Sequence, residues 1–274
     1  MNSVKWQYRG IIHNHSASSL EGCYALRVLR ERWAPNLDFA AMTEHAEKTT
    51  AEAYASYVQE CEALSDEHFR FIPGLEVATE SGDMLLMGCR TFVSTRDPFQ
   101  VMKEAAGCLI LLAHPEKGHM MPAVLEQVHG FEGWNARYMG GYVPPFDLFK
   151  HWKQAFPQRK IMTGGNDIHT VDPKRKIMTL VHSPSPREVD LLEAIKAGQF
   201  ITSNGIFSVT SDGCVLYGGR EVRLHVPAAL LAQGYRLGWR GANICLRLGG
   251  KLLRLLGIGR QERLKLRRMI RQYI

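Results

Sequence analysis

The stretch RGIIHNH, residues 9–15, shows the pattern on which the fold prediction rests, because an apolar run there is followed directly by two histidines. The same order recurs along the first 200 residues, where other short apolar runs end on histidine or carboxylate side chains. These runs are LDFAAMTEH (37–45), RFIPGLEV (70–77), CLILLAHP (108–115) and KIMTGGNDIH (160–169). Short apolar runs that end in polar residues predict buried strands. Ligand-type side chains therefore lie where the strands are expected to end.

Longer amphipathic stretches separate these runs and predict helices. The helices are expected at residues 24–33, 50–64, 98–106, 146–156 and 186–197. The last should begin with Ser185 as its cap and end before Gly198. Alternation of strands and helices is typical of parallel strands joined by crossover helices. About seven such units predict a closed or nearly closed β/α barrel, in which the strand ends meet on one face.

The pattern changes after about residue 200. The stretches QFITSNG, FSVTSDG and REVRLHV predict short strands joined by Asn-Gly and Asp-Gly turns. From about residue 228 the chain is rich in Leu and Arg, which favours helix. We therefore expect a barrel over residues 1–205, a short β segment packed on it over 206–227, and a basic amphipathic helical tail over 228–274.

The composition is that of an ordinary globular protein, with 45% apolar and 22% charged residues in a chain of 274. It excludes disordered, collagen-like and coiled-coil chains. Apolar runs stay well short of the ~18 residues that a membrane-spanning helix needs, and the N-terminus lacks the apolar core of a secretory signal. Six widely spaced cysteines without a CxxC pair predict free thiols in a reducing compartment. We expect a cytoplasmic protein.

The net charge of +7 is unevenly distributed. Residues 221–274 hold 12 basic and two acidic residues, whereas residues 1–220 hold 22 basic and 25 acidic ones. A helix near the end would align Leu266, Met269, Ile270 and Tyr273 on one face. Residues 251–274 could bind an anionic membrane surface or an acidic partner, or could dock on the barrel with their charges in water. A nucleic acid partner stays open.

Histidines and carboxylates at five strand ends indicate a metal site. His13 and His15 are two residues apart, so their side chains should leave the strand on the same face, and Asp167 and His169 repeat this spacing. Any one of these residues alone would be assigned to the core or the surface, but core histidines have no reason to gather at strand ends. Imidazole and carboxylate ligands without thiolate suit catalytic Zn²⁺, Mn²⁺ or Fe²⁺. The remaining candidates are His45, Glu76 and His114.

Taken together, these residues resemble the PHP (polymerase and histidinol phosphatase) domain family. The matching motifs, in the order of the family, are HNHS (13–16), TEH (43–45), GLE (74–76), AHP (113–115), GFEGWN (130–135) and GGNDIH (164–169). The resemblance covers about residues 8–205. It implies a distorted (β/α)7 barrel with two or three divalent metal ions, usually acting on phosphate esters. It also implies one ion on His13, His15, Glu76 and Asp167, a second on Glu76 and His114, and a third on His45 and His169.

Three positions depart from the family pattern. Leu20 stands where the family commonly has a ligand Asp, and Glu21 follows one residue later as a substitute ligand. Glu44 replaces the Asp of TDH and is expected to orient His45. Asp83 stands in for a histidine that often follows the bridging Glu. The predicted metal ligands therefore include Glu21 and Asp83.

The expected reaction is hydrolysis of a small phosphorylated substrate by metal-bound hydroxide, whose parent water has its pKa lowered from 15.7 to about 7. His114 or His169 could protonate the leaving oxygen. Cations near the strand ends could orient the phosphate; they are Lys117, Arg137, Lys174, Arg175 and Lys176. Two alternatives remain: a metal-dependent amide or carbamate hydrolase on the same residues, and a degenerate metal-binding module without activity.

Overall fold

The computed structural model of the chain describes residues 7–19, 22–115, 121–141, 143–155, 160–169, 177–217 and 220–221. The chain divides into one unit over residues 1–223 and another over residues 224–274, and every described residue lies in the first. The predicted basic tail therefore lies outside the described residues. None of the helices among the described residues combines the length and the hydrophobicity that crossing a bilayer requires.

The described residues form fourteen strands in two sheets, so the fold is mixed α/β. The strands are β1 Tyr8–Asn14, β2 Phe39–Met42, β3 Glu44–His45, β4 Arg70–Ile72, β5 Gly74–Thr79, β6 Gly82–Met87, β7 Leu109–Leu112, β8 Gly130–Asn135, β9 Ile161–Gly165, β10 Met178–Val181, β11 Phe200–Ser203, β12 Phe207–Thr210, β13 Val215–Tyr217 and β14 Arg220–Glu221. The first sheet has the order β14-β13-β12-β11-β10-β1-β2-β4. The second has the order β3-β5-β6-β7-β8-β9.

All five predicted helices are present, and the described residues add two more. The helices are α1 Leu26–Trp33, α2 Ala51–Ala63, α3 Pro98–Glu104, α4 Pro122–Gln127, α5 Ala136–Met139, α6 Phe146–Ala155 and α7 Glu188–Lys196. Thr50 caps α2 by accepting a hydrogen bond from Ala53 N at 3.2 Å. Helix α7 begins later than predicted, and its N-cap is Arg187 rather than Ser185. The Ser185 hydroxyl accepts from Arg187 N and donates to Asp190 within the helix.

The predicted closed barrel is not found among the described residues, whose strands form two separate sheets. The chain leaves strand conformation at Thr43, between β2 of the first sheet and β3 of the second, and at Pro73, between β4 of the first sheet and β5 of the second. Proline has no backbone N–H to give to a neighbouring strand, which explains why the strand ends at Pro73. Strands β12, β13 and β14 continue the first sheet outward from β11.

The expectation of parallel strands is correct for only part of the fold. Parallel pairs join β1 to β2, β2 to β4, β3 to β5, β7 to β8 and β8 to β9. In contrast, β6 runs antiparallel to both β5 and β7. Only two residues separate β5 from β6, and a parallel crossover needs about a dozen or more. Gly82 supplies the positive φ of 95° at this tight turn.

Backbone hydrogen bonds join the two sheets beside the first strand. The residues after β9 bind β1 through Asn166 N to Ile12 O at 3.1 Å and Asp167 N to His13 O at 2.7 Å. His15 N in turn donates to Ile168 O at 3.1 Å. The two stretches in which the sequence places paired ligand candidates are thereby held side by side.

Both faces of the strands are covered by apolar residues. Adjacent residues belong to different clusters of the core, as with Ile11 and Ile12, because side chains alternate along a strand. One cluster includes Trp33 of α1 and the other Ile195 of α7. The five cysteines among the described residues are free thiols, as predicted. Cys245 lies outside the described residues.

Candidate metal centre

The structure gathers seven of the predicted ligands at the ends of strands from both sheets. Six of them are buried, and His45 is partly buried at the rim. His13 and His15 lie at the end of β1, His45 ends β3, Glu76 is in β5, His114 follows β7, and Asp167 and His169 follow β9. Residues separated by as many as 156 positions in the chain therefore share one site.

Glu76 lies at the centre of this group. Its Oε1 atom is 3.1 Å from His114 Nε2. Its Oε2 atom is 3.2 Å from His13 Nε2, 3.3 Å from His15 Nε2 and 3.4 Å from His45 Nδ1. The two oxygens of one carboxylate thus face different imidazoles, which is the arrangement expected of a carboxylate shared between two cations.

Asp167 is a second buried carboxylate of the site, and like Glu76 it lies close to His15. Its Oδ1 atom is 3.5 Å from His15 Nε2 and 3.0 Å from His169 Nδ1. His169 Nε2 is in turn 3.2 Å from His45 Nε2. Arg137 donates from Nη1 to Asp167 Oδ1 at 3.0 Å.

The donor atoms form three overlapping groups of three residues, and the atoms of each group lie within 4.8 Å of one another. The groups are His13, Glu76 and His114; His13, His15 and Asp167; and His15, His45 and His169. Both ring nitrogens of His15 and the Oδ2 atom of Asp167 are buried and have no hydrogen bond from the described residues. A buried polar atom without a partner is costly, and a bound cation would satisfy these atoms. The donor set therefore fits divalent metal ions.

Unusual backbone conformation is concentrated at these residues. Among the described residues other than glycine, positive φ occurs only at His13 (58°), His114 (28°) and Asp167 (51°). Non-glycine residues adopt this region at a cost, and such conformations cluster at functional sites. His13 and His15 do converge, as predicted. The regular alternation of side chains along β1 does not explain this convergence, however, because the pairing of β1 with β2 shifts register between Ile11 and Asn14.

The charges in the site are strongly coupled. Burial alone would lower the pKa of His13, but the carboxylates of Glu132, Glu76 and Asp167 raise it well above 6.5. Burial would raise the pKa of Glu76, but His13 and His114 hold it well below 4.5. The pKa of Asp167 is likewise lowered, since His13, His15, His169 and Arg137 outweigh its burial. The site is thus built to hold positive charge among buried carboxylates.

Glu132 in β8 is a site residue to which the sequence analysis gave no role. Its Oε1 atom is 2.8 Å from His13 Nδ1, and its Oε2 atom accepts from His114 N at 3.0 Å and Asn135 Nδ2 at 2.7 Å. Because a carboxylate only accepts, His13 donates a hydrogen bond to Glu132 from Nδ1, while its Nε2 atom faces Glu76. The signal was present in the sequence, as the acidic residue of the GFEGWN motif.

Glu44 has a different role from the one predicted. It accepts hydrogen bonds from Ser16 N at 2.8 Å and from the Ser19 hydroxyl, so it fixes the segment after His15. A different carboxylate, that of Glu47 two residues after His45, lies beside the ring, with Oε1 3.4 Å from His45 Nδ1. Burial raises the pKa of Glu44. The TEH motif therefore orients the segment after β1, while Glu47 lies beside His45.

The remaining candidates lie at the edge of the site or outside the described residues. Asp83 is 38% exposed, with Oδ2 3.8 Å from His114 Nε2, and burial and Glu76 raise its pKa. Arg137 reaches the site. The candidates outside the described residues are Glu21, Lys117, Lys174, Arg175 and Lys176, and Leu20 also lies outside them.

Four other histidines among the described residues lie away from the cluster. His68 is 84% exposed, and His129 Nδ1 accepts a hydrogen bond from Ile110 N at 3.1 Å. His151 and His182 are exposed. His119 and His225 lie outside the described residues.

Comparisons with protein-family models and with curated proteins give no match. Among solved structures, the chain is similar to a two-domain protein from Bacteroides vulgatus, described as containing a predicted PHP-like metal-dependent phosphoesterase. The TM-score is 0.55 at 20% identity, over 72% of this chain and 64% of that protein. A second structure, from Bifidobacterium adolescentis, is described as a candidate metal-dependent phosphoesterase. It has a TM-score of 0.43 at 15% identity, over 58% of this chain and 87% of that protein.

The chain thus matches just under two thirds of the length of the Bacteroides protein. A similarity at 20% identity concerns the fold, and the ligand motifs provide independent evidence in the sequence. The chain shares its fold with a PHP-like protein, which supports the resemblance of its sequence to the PHP domain family.

Proposed function

We propose that this protein is a metal-dependent hydrolase of phosphate esters. The observation that carries the proposal is the position of Glu76, whose two oxygens contact different histidines at 3.1–3.4 Å. Two ions about 3.5–4 Å apart can clamp the attacking and leaving oxygens of a phosphoryl group. Glu76, whose two oxygens face different imidazoles, is the residue that would take part in holding such a pair of ions.

The three donor groups suggest how the ions are shared. His13, His15, Glu76 and Asp167 would hold one ion, and Glu76 and His114 a second. His45 and His169 would hold a third together with His15, which lies in the same donor group. Mn²⁺, Zn²⁺ and Fe²⁺ fit such ligands, and when bound they would polarise the ester and supply a hydroxide near neutral pH. Glu21 and Asp83 remain proposed ligands at the edge.

The protein side chains have three further tasks. Glu132 fixes the ring of His13 through Nδ1 and the backbone of His114 through its N–H, so that both histidines keep their orientation. Burial lowers the pKa of His169, which favours a neutral ring and hence a ligand rather than a proton donor. Protonation of the leaving oxygen would then depend on His114 or on solvent. Arg137, 42% exposed, could contact a phosphate.

The substrate proposed is a small phosphorylated molecule in the cytoplasm. Residues 251–274 would bring the enzyme to an anionic membrane surface or an acidic partner, and nucleic acid stays open as a partner. Metal-bound hydroxide also attacks carbonyl groups, so amides and carbamates must be included in any substrate screen.

The test begins with elemental analysis of the metal bound per chain. It continues with turnover of p-nitrophenyl phosphate and nucleotides by the protein loaded with Mn²⁺, Zn²⁺ or Fe²⁺. Turnover that chelator abolishes would support the proposal. Activity confined to carboxamides or carbamates would replace it with the second reaction class, and bound metal without any turnover would indicate a non-catalytic module.

A further inference from the structure

Two cysteine thiols lie together at the end of β7 that is remote from the metal ligands. Strands β6 and β7 run antiparallel, and the pair that ends their ladder is Met87 with Leu109. Cys89 comes two residues after Met87, and Cys108 comes directly before Leu109. Cys89 belongs to one cluster of the core and Cys108 packs against the same cluster, so both side chains lie on the same side of the sheet. His114, by contrast, follows the opposite end of β7.

The spacing of the two strands suits a covalent link between these thiols. Directly opposed residues of an antiparallel pair have Cα atoms about 4.5–5.5 Å apart, and a disulfide spans about 4.4–6.8 Å. Gly88, with a positive φ of 80°, turns the chain between Met87 and Cys89. The Cys108 thiol acts as a hydrogen-bond donor to Cys89, whose own thiol donates to Thr91 O at 3.2 Å. A bond between the two sulfur atoms therefore needs only a small movement.

The backbone beside each of the two thiols is held in place by a helix. The Tyr54 hydroxyl of α2 donates to Cys89 O at 2.7 Å. Next to Cys108, Lys196 Nζ of α7 donates to Gly107 O at 3.0 Å. The two helices thus fix the segments that carry the cysteines, which keeps the thiols next to each other.

The charges around the pair favour a reactive thiolate. The hydrogen bond from Cys108 lowers the pKa of Cys89, and the guanidinium of Arg90 adds to this effect, so that burial is outweighed. The same hydrogen bond, together with burial, raises the pKa of Cys108, although the charge of Lys196 opposes this. The pair therefore gives up its first proton more readily than its second. Thiolates beside cations are the reactive form of cysteine, and Cys108 is partly exposed, so a small oxidant can reach the pair.

We propose that Cys89 and Cys108 form a redox-sensitive dithiol, which a hydroperoxide converts into a disulfide. One sulfur, as thiolate, attacks the O–O bond of H₂O₂, keeps one oxygen as a sulfenic acid and releases the other as water once it is protonated. The second thiol attacks that sulfur, the S–O bond breaks as the S–S bond forms, and a second water leaves. The two thiols together lose two electrons and two protons to the peroxide, and a dithiol reductant reverses the change.

Such a bond is compatible with the free thiols of the structure. Disulfides in reducing compartments are usually transient and form in response to oxidants, so the free dithiol is the resting state of the pair. The inference does not depend on the proposed hydrolysis, because the two thiols lie at the far end of β7 from His114.

The test maps the cross-link in the full-length protein. Reduced protein is treated with a small molar excess of H₂O₂, remaining thiols are blocked with N-ethylmaleimide, and unreduced tryptic peptides are analysed by mass spectrometry. We expect residues 71–90 and 104–117 to form one linked peptide that dithiothreitol separates. Failure to find this linked peptide would overturn the proposal.

The rate of thiol loss identifies the reacting pair. The wild type should lose two thiols per chain at least roughly tenfold faster than Cys89→Ser or Cys108→Ser loses any, because each variant keeps only one member of the pair. Cys23→Ser, which removes an exposed cysteine, is the matched control and should react like the wild type. Equal rates in the wild type and Cys108→Ser would contradict the proposal.

Thermal unfolding shows whether the bond fits the native fold. A disulfide between Cys89 and Cys108 closes the segment 90–107, which includes α3, and restricts the unfolded chain. The oxidised wild type should therefore melt roughly 5–10 °C above the reduced protein, whereas oxidant should not raise the Tm of Cys108→Ser. Cys108→Ala allows the same comparison if Cys108→Ser fails to fold by circular dichroism. An oxidised wild type that melts no higher than the reduced protein would overturn the proposal.

Discussion

At the scale of single residues, the site depends on carboxylates that are each used twice. Glu76 divides its two oxygens between His114 on one side and three other histidines on the other. Glu132 divides its oxygens between the ring of His13 and two N–H donors. Substituting either residue therefore affects several ligands at once, which makes the residue scale the most direct place to test the site.

Replacing His13 or Asp167 with alanine should abolish hydrolysis and leave the fold intact. Each belongs to a donor group at the centre of the site. Mutating a residue that only hydrogen-bonds to a metal ligand typically lowers metal affinity or activity about 10–100-fold, so loss of a ligand itself should reduce turnover by roughly a hundredfold or more. Circular dichroism checks the fold. His68→Ala, which changes an exposed histidine, is the control. Unchanged turnover in either variant would remove that residue from the site.

Glu132→Gln should weaken metal binding by roughly 10–100-fold without unfolding the protein. Oε1 faces the ring N–H of His13 and Oε2 accepts two hydrogen bonds, so a glutamine must turn its NH₂ group towards a donor. Calorimetric titration with Mn²⁺ or Zn²⁺ measures the change. The control is Glu60→Gln on the exposed face of α2. Wild-type affinity in Glu132→Gln would show that the carboxylate does not orient His13.

At the scale of elements, the chain reaches the site through irregular segments that follow regular strands. His13, His114 and Asp167 all have positive φ at or just after a strand. Gly165, the last residue of β9, allows Glu132 to approach, because a Cβ atom there would lie 1.5 Å from Glu132 Oε1. A glycine in one strand thus determines where a carboxylate of the neighbouring strand can lie.

Gly165→Ala should therefore displace the Glu132 carboxylate. We expect a loss of stability of roughly 1–3 kcal/mol from overpacking, together with weaker metal binding. Thermal unfolding and metal titration measure the two effects. Gly107→Ala is the matched control, since it puts a Cβ in open space at a φ of 93° and should cost stability without changing metal affinity. If Gly165→Ala binds metal like the wild type, the close approach has no role in the site.

At the scale of the whole molecule, metal binding should stabilise the fold, because the donors come from β1, β3, β5 and the segments after β7 and β9. A ligand at 100 times its dissociation constant adds about 2.7 kcal/mol. For a domain of this size that corresponds to a rise in Tm of about 5–10 °C. Thermal unfolding with Mn²⁺ or Zn²⁺ and with EDTA checks this. If none of the divalent ions changes the Tm, the site does not bind metal.

The basic tail leads to a prediction about location. Deleting residues 258–274 should reduce sedimentation with anionic liposomes and spare turnover of a soluble substrate, because the deleted segment carries basic charge and would have an apolar stripe as the predicted helix. Neutral liposomes provide the control. Equal sedimentation of the full and shortened proteins would indicate that residues 258–274 do not bind membranes.

Local sequence patterns were enough to predict the types of candidate ligand, their order and their placement at strand ends, because both strand burial and metal chemistry restrict residue choice locally. The motifs RGIIHNH and GGNDIH were sufficient for this prediction, with no contact between them known. The folded chain was needed to show how the strands pair, that Glu132 contacts His13, and that Arg137 lies against Asp167 and His169. These depend on β-strand register, on backbone conformations with positive φ and on close approach at Gly165, which arise from contacts between distant segments and leave no local periodicity to read.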